Sequence, residues 1–221
     1  MDKFITAEIP KSWKNVSNDI TVNSVIKELI ENEEIIDSND EIIFTGENSL
    51  NEMILKQLKE FKFPLNRSRE NVMNYPKEDI HGFCLGLVWK HNGGHRLETC
   101  SKLQKWKKYQ KIWETTNLYM NHFKPDSKYT SVQYNKNIKC AKHKDGNNVG
   151  NSLIIAFGDY TGGRLMIYDE NDNIQYIDIR NKFYEFDGSK IYHQTEEFTG
   201  DRFCLVFFRL EDNRKKINKN V

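Results

Sequence analysis

Three side chains in the second half of the chain have the types and spacing of metal ligands. His143 and Asp145 are separated by one residue, and His193 follows in a region of short apolar segments. On an extended backbone, residues two apart project from the same side, so His143 and Asp145 can reach one ion while His193 arrives from another strand. Two histidines and one carboxylate on one face of an iron ion leave coordination positions open for a 2-oxo acid and O₂. The pattern therefore predicts a non-haem Fe(II) centre.

The histidine-x-aspartate tripeptide is a weak signal alone, and its surroundings carry the prediction. The tripeptide lies in a polar loop between predicted strands, and His193 comes shortly before the last predicted strand. The other histidines have no carboxylate at the matching spacing. The alternative interpretation of His143 and Asp145 is an exposed polar loop in a region rich in lysine and asparagine.

An arginine opens the last predicted strand, RFCLVFFRL. Strand alternation puts Arg202, Cys204, Val206 and Phe208 on one face. An arginine beside so apolar a strand is costly unless it meets an anion. A guanidinium binds a carboxylate through two parallel hydrogen bonds, so the distal carboxylate of 2-oxoglutarate is a suitable partner. The alternative is a surface arginine paired with Asp201.

The N-terminal half has the apolar spacing of helices. Residues 24–36 and 49–61 carry apolar side chains at helical intervals, and residues 101–123 are predicted to form the longest helix. One stripe of that longest helix is predicted to contain Leu103, Trp106, Tyr109 and Trp113.

Short strands separated by Gly, Asn and Asp turns are predicted from residue 128 onwards, with one further strand before the long helix. The predicted strands span residues 81–90, 129–135, 152–158, 163–169, 174–179, 182–187 and 202–210. Strands at this spacing predict a sandwich or closed barrel.

Bulk composition sets the class of protein. With 221 residues, 38% of them hydrophobic, the chain suits one domain with helical additions. The first residues lack a signal-peptide pattern, no stretch has the length of a membrane span, and the four cysteines form no CxxC pair. These features predict an intracellular protein, cytoplasmic or nuclear, with no membrane partner.

The net charge of +1 excludes a chain that attracts nucleic acid through its overall charge. Any basic surface must therefore be local. A cluster beside the predicted metal loop is the candidate nucleic-acid contact, and it comprises Lys105, Lys108, Lys139, Lys142 and Lys144. The alternative is a solvated charged helix face.

Several segments resemble a known family. HKDGNNVGNS, GDYTGGRL and FTGDRFCLVFF, in this order, resemble the 2-oxoglutarate/Fe(II) oxygenase superfamily, and within it the TET/JBP-like branch with its viral, algal and protist members. The resemblance spans about residues 80–210. It implies an α+β fold with a double-stranded β-helix (jelly-roll) core over residues 81–210, including the supporting helix 101–123. Residues 1–80 would then be an N-terminal helical extension packed around the core, and 211–221 a polar tail.

The resemblance also implies roles for individual residues. His143, Asp145 and His193 would bind Fe(II), Arg202 would anchor 2-oxoglutarate, and Tyr134 matches a co-substrate tyrosine of collagen-type prolyl hydroxylases. O₂ would be the co-substrate, and ascorbate would assist. Supporting roles fall on Asn148 and Ser152, which would hold the metal loop, and on Asp187, which would shape the turn before His193.

The implied substrate is a nucleobase methyl group, 5-methylcytosine or thymine, in nucleic acid. A protein hydroxylase acting on Pro, Lys or Asn shares every metal and co-substrate feature and remains the alternative. A non-catalytic jelly-roll binding domain is the third hypothesis, although such domains usually lose a ligand. The cysteine-rich extension of TET enzymes and the DNA-binding module of JBP proteins have no counterpart in the sequence, which argues against binding of duplex DNA.

Overall fold

The computed structural model describes residues 46–66, 72, 80–90 and 96–211. The helix predicted over residues 24–36 and residues 212–221 of the predicted tail lie outside these residues. No helix in the described part of the chain is long and apolar enough to cross a membrane. All four cysteines are free thiols.

Three helices and eleven strands make up the described residues. The helices are α1 (Gly46–Glu60), α2 (Ser101–Lys105) and α3 (Lys107–Phe123). The strands are β1 (His81–Lys90), β2 (Arg96–Thr99), β3 (Ser131–Lys136), β4 (Ser152–Phe157), β5 (Tyr160–Gly162), β6 (Leu165–Tyr168), β7 (Ile174–Ile177), β8 (Tyr184–Phe186), β9 (His193–Thr195), β10 (Phe198–Gly200) and β11 (Phe203–Phe208).

The larger sheet has six strands in the order β2-β1-β3-β11-β4-β8, and every neighbouring pair is antiparallel. Strand β4 is buried at all six positions, because both faces of the sheet are covered. The helices cover one face: the Phe83 ring packs on Tyr109 of α3, and the Tyr134 hydroxyl donates to Thr116 of the same helix. The smaller sheet packs against the other face.

The smaller sheet has three antiparallel strands in the order β7-β6-β9, and β5 pairs with β10 beside it. Its buried residues Leu165 and Ile167 pack against Ile154, Ala156 and Cys204 of the larger sheet. Two antiparallel sheets that enclose one apolar core, with helices on the outside, form an α+β double-stranded β-helix. The predicted fold class is confirmed.

The long predicted helix is interrupted. Trp106 has an extended backbone, with φ −131° and ψ 116°, and separates α2 from α3. The prediction of one continuous helix with Leu103, Trp106, Tyr109 and Trp113 on one stripe was wrong, and the Trp106 side chain is 49% exposed. The buried face of α3 instead consists of Tyr109, Ile112, Thr116, Tyr119 and Met120.

Candidate metal centre

The backbone brings His143, Asp145 and His193 together through short antiparallel contacts. The amides of His143 and His193 each donate to the other's carbonyl at 3.0 Å, and the Asp145 amide donates to Gly188 O at 2.8 Å. His193 starts β9, which pairs with β6 in the smaller sheet. The extended loop therefore adds to the sheet edge, as the spacing of His143 and Asp145 requires.

The three side chains form one compact cluster. His143 Nε2 lies 3.7 Å from Asp145 Oδ1, and His193 Nε2 lies 3.9 Å from Asp145 Oδ2. One ligand atom from each residue falls within 4.8 Å of the others, so a single ion can contact all three. Among the described residues, this is the only such group of three or more metal-ligating side chains.

The imidazole orientation fits a metal ion. His143 Nδ1 lies 2.7 Å from Ala141 O, and His193 Nδ1 lies 3.0 Å from Ile191 O. A carbonyl oxygen can only accept, so each Nδ1 carries the proton and each Nε2 directs its lone pair towards Asp145. Metal-bound histidines are generally held by such a hydrogen bond from the second ring nitrogen.

Two polar residues orient the Asp145 carboxylate. Asn148 Nδ2 donates to Asp145 Oδ2 at 3.0 Å and lies 3.3 Å from Ser152 Oγ. Ser152 is fully buried at the start of β4, so the hydrogen-bonded chain ties the loop to the larger sheet. The structure thus places Asn148 beside Asp145 and Ser152 beside Asn148.

A turn at residues 187–190 precedes His193 and helps to position it. Asp187 Oδ1 accepts from the Ser189 amide and hydroxyl, and the Lys190 ammonium lies 2.8 Å from Oδ2. Hydrogen bonds from Lys190 and Ser189 to the charged form lower the pKa of the Asp187 carboxyl. Asp187 therefore stays ionised and holds the turn that precedes the third ligand.

Gly188 packs directly against the cluster, and its replacement gives a sharp test. A Cβ at this position would lie 2.8 Å from Asp145 Oδ2, so Gly188→Ala must displace that carboxylate. We expect the variant to weaken Mn(II) binding by about tenfold, the order typical for disturbing the surroundings of a ligand. Calorimetric titration with Mn(II) measures the change.

The matched control is Gly146→Ala in the same loop, because a Cβ there has no neighbour within 4 Å. It is expected to bind Mn(II) like the wild type. Equal affinities for Gly188→Ala and Gly146→Ala would show that the Asp145 carboxylate does not hold the ion.

Arg202 is buried in the same cavity as the three ligands. Its side chain is 3% exposed, Nε donates to Gly163 O at 3.0 Å, and the guanidinium lies beside the Phe198 ring. Asp201, the alternative partner considered from the sequence, accepts from Asn137 instead. Among residues 46–66, 72, 80–90 and 96–211, no carboxylate lies within 4.0 Å of the Arg202 guanidinium. A buried cation in this state is suited to an anionic ligand.

Tyr160 lies beside Arg202, the predicted anchor of 2-oxoglutarate. The sequence pattern had indicated no role for Tyr160 in binding the co-substrate. The Arg202 guanidinium lies 5.5 Å from the Tyr160 ring centroid, and Arg180 stacks on the same ring at 4.2 Å. The Tyr160 hydroxyl is buried, and burial raises its pKa. Tyr160 is not among the residues that line the cavity, so its ring packs beside the Arg202 guanidinium without adding a donor to the cavity wall.

The cavity around these groups combines amide, thiol and apolar side chains. Gln133 and Asn135 of β3 contribute buried polar groups, and Gln133 Nε2 donates to Asn135 Oδ1 at 3.0 Å. Polar residues are unusual inside an interior strand, and this is the signal that could have identified them from the sequence. Other residues that line the cavity are Ile138, Cys140, Ile154, Leu165, Phe186, Gln194, Thr195, Cys204, Val206 and Phe208.

Tyr134 does not belong to the cavity. Its hydroxyl donates to Thr116 Oγ1 at 2.9 Å, and its ring stacks on Phe83 at 4.7 Å, so it faces the helices. Gln133 and Asn135 on either side of it face the cavity. The implied role in co-substrate binding is corrected on this ground: Tyr134 is a core residue between the larger sheet and α3.

The five candidate lysines separate into two groups. Lys139, Lys142 and Lys144 flank the metal loop, where Lys139 pairs with Glu197 and Lys142 with Asp172. Lys105 and Lys108 belong to the helical layer on the other face of the larger sheet, and the Lys108 ammonium lies near Phe61 and Tyr109. Their predicted place beside the metal site was wrong, because the sheet separates them from it.

The described residues also form a larger cavity between the end of α3 and the ends of β4, β8 and β11. Its lining includes Lys124, Tyr129, Glu185 and Arg209 but no histidine or cysteine. The larger volume of this cavity therefore does not make it the candidate reactive site. The smaller cavity is the candidate, because it contains the three side chains with the geometry of metal ligands.

Comparison with known proteins gives similarities of structure only. No family model and no curated protein matches the chain. The structure of NgTET1 in complex with 5mC DNA has a TM-score of 0.46 at 14% identity, covering 78% of this chain and 76% of that one. A 2OG-Fe(II) oxygenase family oxidoreductase from Burkholderia pseudomallei has a TM-score of 0.43 at 15% identity, covering 72% and 88%. A prolyl hydroxylase from Trichoplax adhaerens, solved with a peptide fragment, has a TM-score of 0.47 at 11% identity, covering 76% and 81%. The functional argument therefore rests on the residues of the site.

Proposed function

We propose that the protein is an Fe(II)- and 2-oxoglutarate-dependent oxygenase that hydroxylates a C–H bond. One observation carries the proposal: two histidines with inward-facing Nε2 atoms, one carboxylate and a buried arginine without a carboxylate partner among the described residues share one cavity. This combination offers both a metal and a dianionic co-substrate their ligands in a single enclosed space.

Each residue has a separate task. His143, Asp145 and His193 would hold iron by one face and leave its other positions open, and Asn148 would keep the carboxylate oriented. Arg202 would bind the distal carboxylate of 2-oxoglutarate and so direct its 2-oxo acid end towards the metal. The apolar lining from Ile154, Leu165 and Phe186 would exclude water.

The overall reaction is balanced without a protein-derived oxidant. One O₂ and one 2-oxoglutarate convert R–H to R–OH, with succinate and CO₂ as the other products. Bound iron would supply the redox chemistry that divides O₂ between succinate and product. The side chains position the C–H bond and need not act as a general base.

The proposed substrate is the methyl group of 5-methylcytosine or thymine in nucleic acid. Support comes from the TET/JBP-like motifs and from the placement of Lys139, Lys142 and Lys144 around the metal loop. Neutral amides in the cavity, from Gln133 and Asn135, are groups that can hydrogen-bond the polar edge of a base. A base in a duplex would have to be flipped out, so a single strand is the simpler substrate.

A product screen tests this proposal. Oligonucleotides that contain 5-methylcytosine or thymine, and peptides that contain Pro, Lys and Asn, are incubated with Fe(II), 2-oxoglutarate and ascorbate and examined by mass spectrometry. We expect one added oxygen on the methylated base, and none when 2-oxoglutarate is omitted. Oxidation confined to the peptides would reassign the protein to the protein hydroxylases.

A further inference from the structure

The outer face of the smaller sheet carries an unusual group of aromatic side chains. Leu165 and Ile167 point inwards to the core, so Met166 and Tyr168 next to them along β6 point outwards, and Tyr192, just before β9, is exposed. Register pairs Tyr168 with Ile174 and Met166 with Tyr176 across β6 and β7. We call this surface the tyrosine face, and it comprises Met166, Tyr168, Ile174, Tyr176 and Tyr192.

The tyrosine face is exposed to solvent. Ile174 is 41% exposed, Tyr176 44% and Tyr192 46%, and these are three of the five exposed large hydrophobic side chains in the described part of the chain. Strand β7 is also the edge of its sheet, so the face has no neighbouring strand on that side within the described residues. A contiguous patch of this kind indicates a contact surface.

Cationic side chains lie directly on the tyrosine rings. The Lys142 ammonium is 4.1 Å from the Tyr168 centroid, and the Lys144 ammonium is 4.3 Å from that of Tyr192. The Arg164 guanidinium is 4.4 Å from the Tyr176 centroid. Aromatic rings interleaved with cations can stack bases and contact phosphates in the same footprint.

Acidic groups limit how many of these cations can bind phosphate. Lys142 pairs with Asp172, and Arg164 pairs with Glu196. No carboxylate of the described residues lies within 4.0 Å of the Lys144 ammonium. Stacking on the rings must therefore supply most of the affinity, with Lys144 as the leading phosphate contact.

The tyrosine face shares its backbone segments with the metal ligands. Lys144 stands between the ligands His143 and Asp145, and Tyr192 immediately precedes the ligand His193. Residues adjacent on an extended backbone point to opposite sides, so a polymer bound on the tyrosine face lies on the outer side of the backbone segments that carry the metal ligands.

We propose that the tyrosine face binds the segment of a single-stranded nucleic acid that flanks the reacting base. Bases would stack on Tyr176 and Tyr192, and Lys144 would contact a phosphate. The choice of nucleic acid rests on the proposed function for its substrate class, and the alternation of rings and cations favours it over a peptide.

Binding of a fluorescent single-stranded oligonucleotide, measured by anisotropy in Mn(II) without turnover, tests the surface. Tyr176→Ala is expected to raise Kd about tenfold, as loss of one stacking platform does, and Tyr176→Phe to stay within about twofold of the wild type. Lys144→Glu is expected to raise Kd and to lower the slope of log K against log salt by about 0.7, the value for one phosphate on a single strand.

Matched controls lie on the other side of the molecule. Trp106→Ala removes an aromatic ring that is 49% exposed, and Lys105→Glu reverses an exposed charge, both in the helical layer. Both are expected to bind the oligonucleotide like the wild type. A loss in the controls equal to that in Tyr176→Ala and Lys144→Glu, or unchanged binding in all four, would overturn the proposal.

Succinate release by the wild type separates this proposal from the proposed function. Oligonucleotide binding that depends on Tyr176 and Lys144, in a protein that forms no succinate, retains the surface and contradicts the oxygenase. Succinate release without any oligonucleotide binding contradicts the surface alone. Binding of a labelled peptide in place of the oligonucleotide, with the same dependence on Tyr176, would also overturn the proposed occupant.

Discussion

The double variant His143→Ala/Asp145→Ala is expected to lose Mn(II) binding, with Kd raised by more than about 100-fold. Even a partner outside the ligand set is worth about 10- to 100-fold in metal affinity, and this variant removes two of three ligands. The remaining ligand, His193, would hold the ion alone. Titration with Mn(II), an inert substitute for Fe(II), measures the effect.

The matched control is His122→Ala/Asp126→Ala, which also removes one histidine and one aspartate. Both residues are exposed around the end of α3, away from the cluster. The control should retain wild-type affinity for Mn(II). If instead His143→Ala/Asp145→Ala binds Mn(II) as tightly as this control, the proposed site is not where the metal binds.

Arg202→Ala is expected to weaken 2-oxoglutarate binding while Mn(II) affinity stays unchanged. Removing one partner of a buried, charge-assisted hydrogen-bonded pair costs about 2–4 kcal/mol, which corresponds to a Kd raised about 30- to 900-fold. The burial of Arg202 and the absence of a carboxylate near it in the described residues place the effect towards the upper part of this range. Calorimetry with 2-oxoglutarate at saturating Mn(II) measures it.

Arg209→Ala is the matched control, because Arg209 lies beyond the other end of β11 and pairs with Glu211 at 2.9 Å. It should bind 2-oxoglutarate like the wild type. Should Arg202→Ala also bind like the wild type, another cation such as Lys142 would be the anchor, and the assignment of this arginine would be wrong.

The alternation of side chains along the sequence was sufficient to predict which face of β11 carries Arg202, the proposed anchor of 2-oxoglutarate. Alternation along RFCLVFFRL put Arg202, Cys204, Val206 and Phe208 on one face, and the structure places all four on the cavity. The two-residue spacing of His143 and Asp145 likewise depends only on extended backbone. Turn residues that divide the second half of the chain into short strands predicted a sandwich or closed barrel, and the family resemblance narrowed this to the double-stranded β-helix.

Tyr134 shows where local pattern fails. Strand β3 alternates polar and apolar residues, but its first five residues are all buried, so alternation separates the two faces without showing that the polar one lines a cavity. Sequence distance from the metal ligand then assigns the wrong side chain. The neighbouring Gln133 and Asn135 are the ones that reach the cavity.

The helical layer shows a second limit. The apolar spacing of Leu103, Trp106 and Tyr109 continues through the break at Trp106, so periodicity alone does not reveal that the backbone becomes extended there. Lys105 and Lys108 were predicted to join the lysines of the metal loop, since charge in the sequence carries no information on which side of a sheet a helix packs. Tertiary contacts with Phe83 and Tyr134 decide that side.

The central claim is that this cavity activates O₂ with 2-oxoglutarate, and succinate formation without added substrate tests it most directly. Wild-type protein supplied with Fe(II), ascorbate, O₂ and 2-oxoglutarate is expected to release succinate slowly, with an equal amount of CO₂. The His143→Ala/Asp145→Ala variant is expected to release none above the rate of free iron. Wild-type protein that binds Fe(II) and 2-oxoglutarate but forms no more succinate than this variant, alone or with the methylated oligonucleotides and peptides of the screen, would contradict the account and leave a binding domain.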